Sequence, residues 1–192
     1  MMKTFVLLAL LLQNSVAPIR IGELAKKLSP QEVKELESLA AAGGNSVAPW
    51  LLESPVGSDS RSLRLYLAPK TQTLEFRRGP AIEVIRRQGQ SLWIPTKTVE
   101  YAQMLKAGQA GDSIKGEQRP FVISGKITDD DLVGLVSFIR RSEGSARLIS
   151  LENRADGSVT ALLQASAEKV RMIVLQRKGS SWKVLQSQVG IP

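Results

Sequence analysis

The chain has 192 residues, 43% of them hydrophobic and 23% charged, with 26 Lys/Arg against 18 Asp/Glu and a formal net charge of +8. Those proportions belong to a globular body with a real core, and exclude a disordered or membrane-embedded one. Neither Cys nor His occurs, which excludes disulfides, thiolate chemistry, lipid attachment through cysteine, imidazole metal sites and every mechanism that needs a histidine acid or base.

Met1-Met2-Lys3-Thr4 leads into the apolar run Phe5 to Leu12, then Gln13-Asn14 and the small-residue triplet Ser15-Val16-Ala17. A single positive charge, a short apolar centre and a small-x-Ala ending make residues 1–17 a signal peptide. The apolar run is far shorter than the roughly 20 residues that span a bilayer, so no transmembrane span is expected in the mature chain. Pro18 is a poor residue to follow a signal-peptidase cut, which leaves open an uncleaved or differently cleaved form and an ordinary buried helix. No Asn-x-Ser/Thr acceptor is present at Asn14, Asn45 or Asn153. Export to the periplasm or medium of a bacterium is the expected localisation.

The spacing predicts a helix within Ile21 to Ala42. Ser29-Pro30-Gln31-Glu32 is a capping-box start, Val33, Leu36, Leu39 and Ala40 share one face, and Gly43-Gly44 ends it. Asn45 to Arg61, rich in Ser, Pro and Gly, reads as a linker. The pentapeptide Asn-Ser-Val-Ala-Pro at 14–18 and 45–49 has no wider similarity around it and is read as coincidence.

From Leu63 the apolar period becomes two. Leu63, Leu65 and Leu67 alternate with Arg64 and Tyr66; Leu74 and Phe76 precede an expected turn at Gly79-Pro80; Ile82, Val84 and then Leu92 to Ile94 follow. These segments read as antiparallel hairpins. Thr98 to Leu105 fits a strand or a short helix, and Gly108 to Glu117 a polar loop. Phe121 to Ser124 is a brief strand ahead of a helix capped by Thr128, with Asp129-Asp130-Asp131 in its first turn, Leu132, Leu135, Val136 and Ile139 on its buried face, and Arg140-Arg141 at its end. Four strands close the chain: Arg147 to Asn153, Ser158 to Ala165, Val170 to Arg177 and Trp182 to Val189, with Ala155-Asp156-Gly157 and Lys178-Gly179-Ser180-Ser181 as turns.

The expected class is α+β: antiparallel sheet with an N-terminal helix, and a central helix packed on a C-terminal four-stranded meander. The expected organisation is a helix plus linker over 18–60 and an α+β domain over 61–192, β-rich at 61–126 and helix plus meander at 127–192. The Asp156-Gly157 hairpin, Arg171-Met172-Ile173-Val174-Leu175, Gly179 and Trp182-Lys183-Val184 resemble the last strands of cystatin-like folds, nuclear-transport-factor-like proteins included. Over residues 128–192 that resemblance implies a helix lying across a curved antiparallel sheet, and it transfers no function.

Charge is concentrated in the strand-rich regions: residues 61–106 hold nine Lys/Arg and three Glu, and residues 146–192 hold seven Lys/Arg and three acids. Arg77-Arg78 and Arg86-Arg87, brought together by the expected Gly79-Pro80 turn, form the candidate anion-binding cluster, with Trp93 and Tyr66 to stack. Partners of that site are an anionic polymer, a membrane surface or an acidic protein surface. The competing view is a solvated basic face that keeps strand edges apart.

The Asp129-Asp130-Asp131 run is read as helix capping, since consecutive helical side chains point about 100° apart and do not converge on one ion. Ser124-Gly125-Lys126 and Lys178-Gly179-Ser180 fall at turns, and no phosphate loop or Gly-x-Ser-x-Gly motif is present. Trp50, Trp93 and Trp182 read as core or hairpin anchors. No cofactor, metal or catalytic residue is expected. The favoured function is an exported, non-catalytic binding or scaffolding domain of unknown ligand. Its rivals are the anionic-polymer binder and a carboxylate hydrolase built on Glu75, Glu83 and Glu100.

Overall fold

The computed structural model describes residues 24, 26–43, 51–56, 58, 61–105, 119–166 and 168–190. The expected signal peptide, both copies of the pentapeptide and the polar loop at 108–117 lie outside them. Helix α1 spans Pro30–Ala42, and the strands before the second helix are β1 (Leu51–Glu53), β2 (Ser62–Tyr66), β3 (Thr71–Gln72), β4 (Phe76–Ile85), β5 (Ile94–Met104) and β6 (Phe121–Ser124). Helix α2 spans Asp129–Glu143 and is followed by β7 (Arg147–Asn153), β8 (Val159–Ser166), β9 (Lys169–Lys178) and β10 (Ser181–Gly190).

All ten strands join one sheet in the order β1-β2-β4-β5-β6-β7-β8-β9-β10, with β3 hooked onto β4. The chain is α+β with a mixed sheet. Every pairing is antiparallel but one: β6 runs parallel to β7, and α2 is the crossover that a parallel pair needs. The expectation of a wholly antiparallel sheet is thereby corrected.

Two further expectations change. Gly79 and Pro80 lie inside β4, a continuous ten-residue strand, and no turn forms there. Glycine is required at 79 because the chain at Ala68 and Pro69 crosses the strand so closely that a Cβ would sit 2.9 Å from the Ala68 carbonyl oxygen and the Pro69 Cα. Strand β1 falls inside the segment read as linker, with Leu52 fully buried; three residues among Ser, Pro and Gly are too few to show a period. Of Thr98 to Leu105, all but Leu105 resolves as strand, within β5.

The order of elements repeats. Setting aside the two-residue β3, each described helix is followed by four strands that pair antiparallel in order, β1-β2-β4-β5 after α1 and β7-β8-β9-β10 after α2, and β6 sits between the two sets. The helix starts match as well: Ser29 and Thr128 each accept a hydrogen bond from the backbone N–H three residues on, at Glu32 and Asp131. Leu36 and Leu135 lie seven residues past those caps and Ala40 and Ile139 eleven, and all four are buried.

Alternation along the paired strands puts both helices on the same face of the sheet. Under α1, Leu36 and Ala40 meet Leu52, Leu63, Leu65, Ile82, Val84 and Trp93. Under α2, Leu132, Leu135, Val136 and Ile139 meet Leu151, Ala161, Leu163, Ile173 and Leu175, along with Phe76, Ala102 and Met104 from the first half. The four helix positions expected to be buried are the four that are. The other face of the sheet is left to the remaining side chains.

Candidate functional site

Leu63 and Leu65 point to α1, so Arg64 and Tyr66 point to the opposite face, and the same alternation sends Glu53, Glu83 and Lys97 there. Register then lines them up: Glu53 opposes Arg64, Arg64 opposes Glu83, and Glu83 opposes Lys97. Charges of alternating sign thus cross four strands in one row, an arrangement cross-strand neighbours favour. Arg64 donates from Nη2 and Nε to Glu83 Oε1 at 2.6 and 3.1 Å, and Lys97 Nζ stands 3.3 Å from Glu83 Oε2. Tyr66 links the row to its buried end, donating to Glu53 Oε2 at 2.6 Å while accepting from Arg64 Nη1 at 3.3 Å.

Arg147, from β7, completes the row by pairing with Glu53 of β1. Five steps separate β1 from β7 in the sheet order, which in a flat sheet is about 24 Å. Their contact therefore shows that the sheet coils until β1 faces β7. The coil borders an open-sided recess of about 620 Å³, within the range of roughly 300–1,000 Å³ usual for small-molecule sites. Arg64, Glu83 and Lys97 line one part of it, and Val122, Ile149, Leu162, Val170 and Met172 much of the rest. A bulge in β7, where Leu148 and Ser150 pair with the adjacent residues Leu163 and Leu162, turns both Ile149 and Ser150 to the recess.

Burial acts on the phenols of this face: it pushes Tyr66 up against the opposing pull of Arg64. Burial likewise raises Tyr101 to about 12; its hydroxyl donates to the Leu67 carbonyl at 2.8 Å, and its ring meets Tyr66 edge-on at 5.0 Å. Burial lowers Arg147, whereas Arg64 is raised, since Tyr66 and Glu83 outweigh its own desolvation. Both phenols stay neutral at physiological pH and act as fixed hydrogen-bond donors. What the row offers chemically is oriented charge next to an apolar wall.

The expected basic cluster is dispersed. With no turn at Gly79-Pro80, Arg77-Arg78 and Arg86-Arg87 stand at opposite ends of β4, about 30 Å apart. Arg78 donates to Glu100 at 2.9 Å, to Asp129 at 2.9 Å and to the Ile127 carbonyl at 2.8 Å, clipping β4, β5 and the start of α2 together. Arg77 points to the other face, where its Nε is buried. Arg86 pairs with Glu32 and donates to the Gln90 carbonyl at 3.1 Å, and Arg87 is exposed. Trp93 is buried under α1 and Tyr66 is 1% exposed, so neither offers a ring face to stack on.

The three carboxylates do not converge either. Glu75 lies in an exposed bend beside Thr73, and alternation puts Glu83 and Glu100 on opposite faces of the sheet. Asp129 and Asp131 pair with Arg78 and Arg177, and Thr128 accepts from Asp131, as expected of a capped first turn. Among the described residues no group of three Asp/Glu stands where a metal would need it, and no helix is long and apolar enough to cross a membrane. No protein family, curated protein or solved structure matches this chain.

Reading the sequence for clusters missed the recess because its charged residues lie 53, 64, 83, 97 and 147 along the chain. The usable signal was the single charge between two apolar residues in strand after strand, Leu63-Arg64-Leu65 and Ile82-Glu83-Val84.

Proposed function

We propose that this chain is an exported, non-catalytic binding domain whose ligand site is the recess on the helix-free face of its sheet. The observation that carries the reading is the coil itself: where Arg147 meets Glu53 the sheet curves round an open-sided space walled by apolar side chains and bordered by fixed charge. Such a combination, mostly apolar with a few oriented polar groups, is the common make-up of small-molecule sites. The leader at 1–17 supports export. The basic residues first considered for anion binding lend less support, because Arg78 and Arg86 already serve carboxylates of the fold.

A neutral fluorescent probe, N-phenyl-1-naphthylamine, tests the site. Saturable uptake near one equivalent is expected, and Leu162→Trp and Met172→Trp, which fill the recess, should weaken it about tenfold or more. Absence of saturable uptake by the folded protein, or uptake indifferent to both substitutions, overturns the reading. For export, mass spectrometry of protein recovered from the producing cell's envelope or medium should show the leader removed; an intact Met1 on cytoplasmic protein refutes it.

A further inference from the structure

The recess is not electrically balanced. Its lining set contains Arg64 and Lys97 but one carboxylate, Glu83. Behind it Glu53 and Arg147 cancel each other, so the whole row holds three cations and two carboxylates. Both prongs of Arg64 end on Glu83 Oε1, and Lys97 Nζ stands 3.3 Å from Oε2, so two cations share one carboxylate. Of the two, Lys97 is the one solvent reaches: its side chain is 61% exposed, and it borders the same space as Val122, Ile149, Leu162, Val170 and Met172. A long ammonium side chain of this kind reaches an anion at the border while its stem lies along apolar surface.

We infer that the recess takes a single-chain amphiphile with one negative charge, its acyl chain on the Val122–Ile149–Leu162–Met172 wall and its head against Lys97 and the outer edge of Arg64. This rests on the recess being the ligand site. One added negative charge brings the row to neutrality, whereas a cationic head meets two guanidinium or ammonium groups and a zwitterion changes nothing. The alternating row also rejects a dianion, which Glu83 repels at close range.

Calorimetric titration of the protein with dodecanoate and dodecyltrimethylammonium below their micelle concentrations, and with dodecanol below its solubility limit, separates head from tail. Dodecanoate should bind at least about tenfold more tightly than the other two in low salt, with the margin shrinking as salt is raised. Shortening the acid to decanoate and octanoate should weaken it by up to about fourfold per methylene lost. Lys97→Glu, with its fold checked by circular dichroism, should abolish or invert the preference, and Lys34→Glu on the exposed side of α1, an equal change in net charge, should leave it. Equal affinity for all three heads, or a preference that survives Lys97→Glu, overturns the inference while saturable uptake of the neutral probe keeps the site. If neither probe nor amphiphile binds, both fall.

Discussion

Replacing Glu53 by Gln should cost this protein a large share of its stability. The substitution keeps the shape of the side chain and an oxygen for the Tyr66 hydroxyl to donate to, but it removes the charge facing Arg147. Breaking a buried ion pair by deleting one partner costs about 3–5 kcal/mol, because the remaining charge is left without compensation. Glu53 is 6% exposed and the Arg147 side chain 22%, so water recovers part of the guanidinium's solvation and about 2–4 kcal/mol is the expected loss. With a urea slope of about 2 kcal/mol per M, the unfolding midpoint should fall by roughly 1–2 M. Adding Arg147→Met removes the orphaned charge, and the double variant should be more stable than Glu53→Gln alone by about 1–3 kcal/mol. Hydrogen exchange should also quicken in β1 and β2, whose edge the pair holds against β7. A single variant within about 0.5 kcal/mol of the parent, with no coupling in the double, would refute the claim that this pair holds the coil closed.

Three other outcomes follow from the packing and the charges. Gly79→Ala should destabilise by about 1–3 kcal/mol in urea, since the new Cβ meets backbone at 2.9 Å and backbone cannot swing aside; an effect near zero would mean that the 67–70 crossing is loose. Leu135→Ala, at a fully buried helix position, should cost about 2–5 kcal/mol by the same assay. Hydrogen bonds from Ser29 and Arg78 respectively hold Glu32 and Glu100 below the ordinary 4.5, so their stabilising effect is complete above that pH and is lost as pH falls through the lowered values. Urea midpoints should therefore hold between pH 7 and 5 and drop below 4.5, and Glu100→Gln should reduce that dependence.

Local signals in the sequence were faithful where a local cause decides the structure. Ser29 and Thr128 cap their helices because a side-chain oxygen within three residues of an unpaired N–H is all that capping needs. The last four strands fall within a residue or so of expectation, since alternation and the Asp156-Gly157 turn fix them over short range. What the sequence hid depends on distant partners. Gly79-Pro80 carries the composition of a turn, yet the deciding contact comes from Ala68 and Pro69. The parallel β6–β7 pair leaves no mark in either strand's own residues. The recess needs the pairing of six strands, β1 through β7 along the sheet, before Glu53, Arg64, Glu83, Lys97 and Arg147 become neighbours.

The two helix-side cores share a sheet but almost no side chains. The cluster under α1 is built wholly from residues up to Trp93, and the one under α2 borrows Phe76, Ala102 and Met104 from that first half. Between them β6 adds three paired residues on each side. Hydrogen exchange should show two opening energies, one for each core, with β6 as the seam between them. The recess straddles that seam, drawing Arg64, Glu83 and Lys97 from one half and Leu162, Val170 and Met172 from the other. An occupant would touch both halves as a clasp, so its binding energy would be lost when either opens, and loading should merge the two opening energies into one.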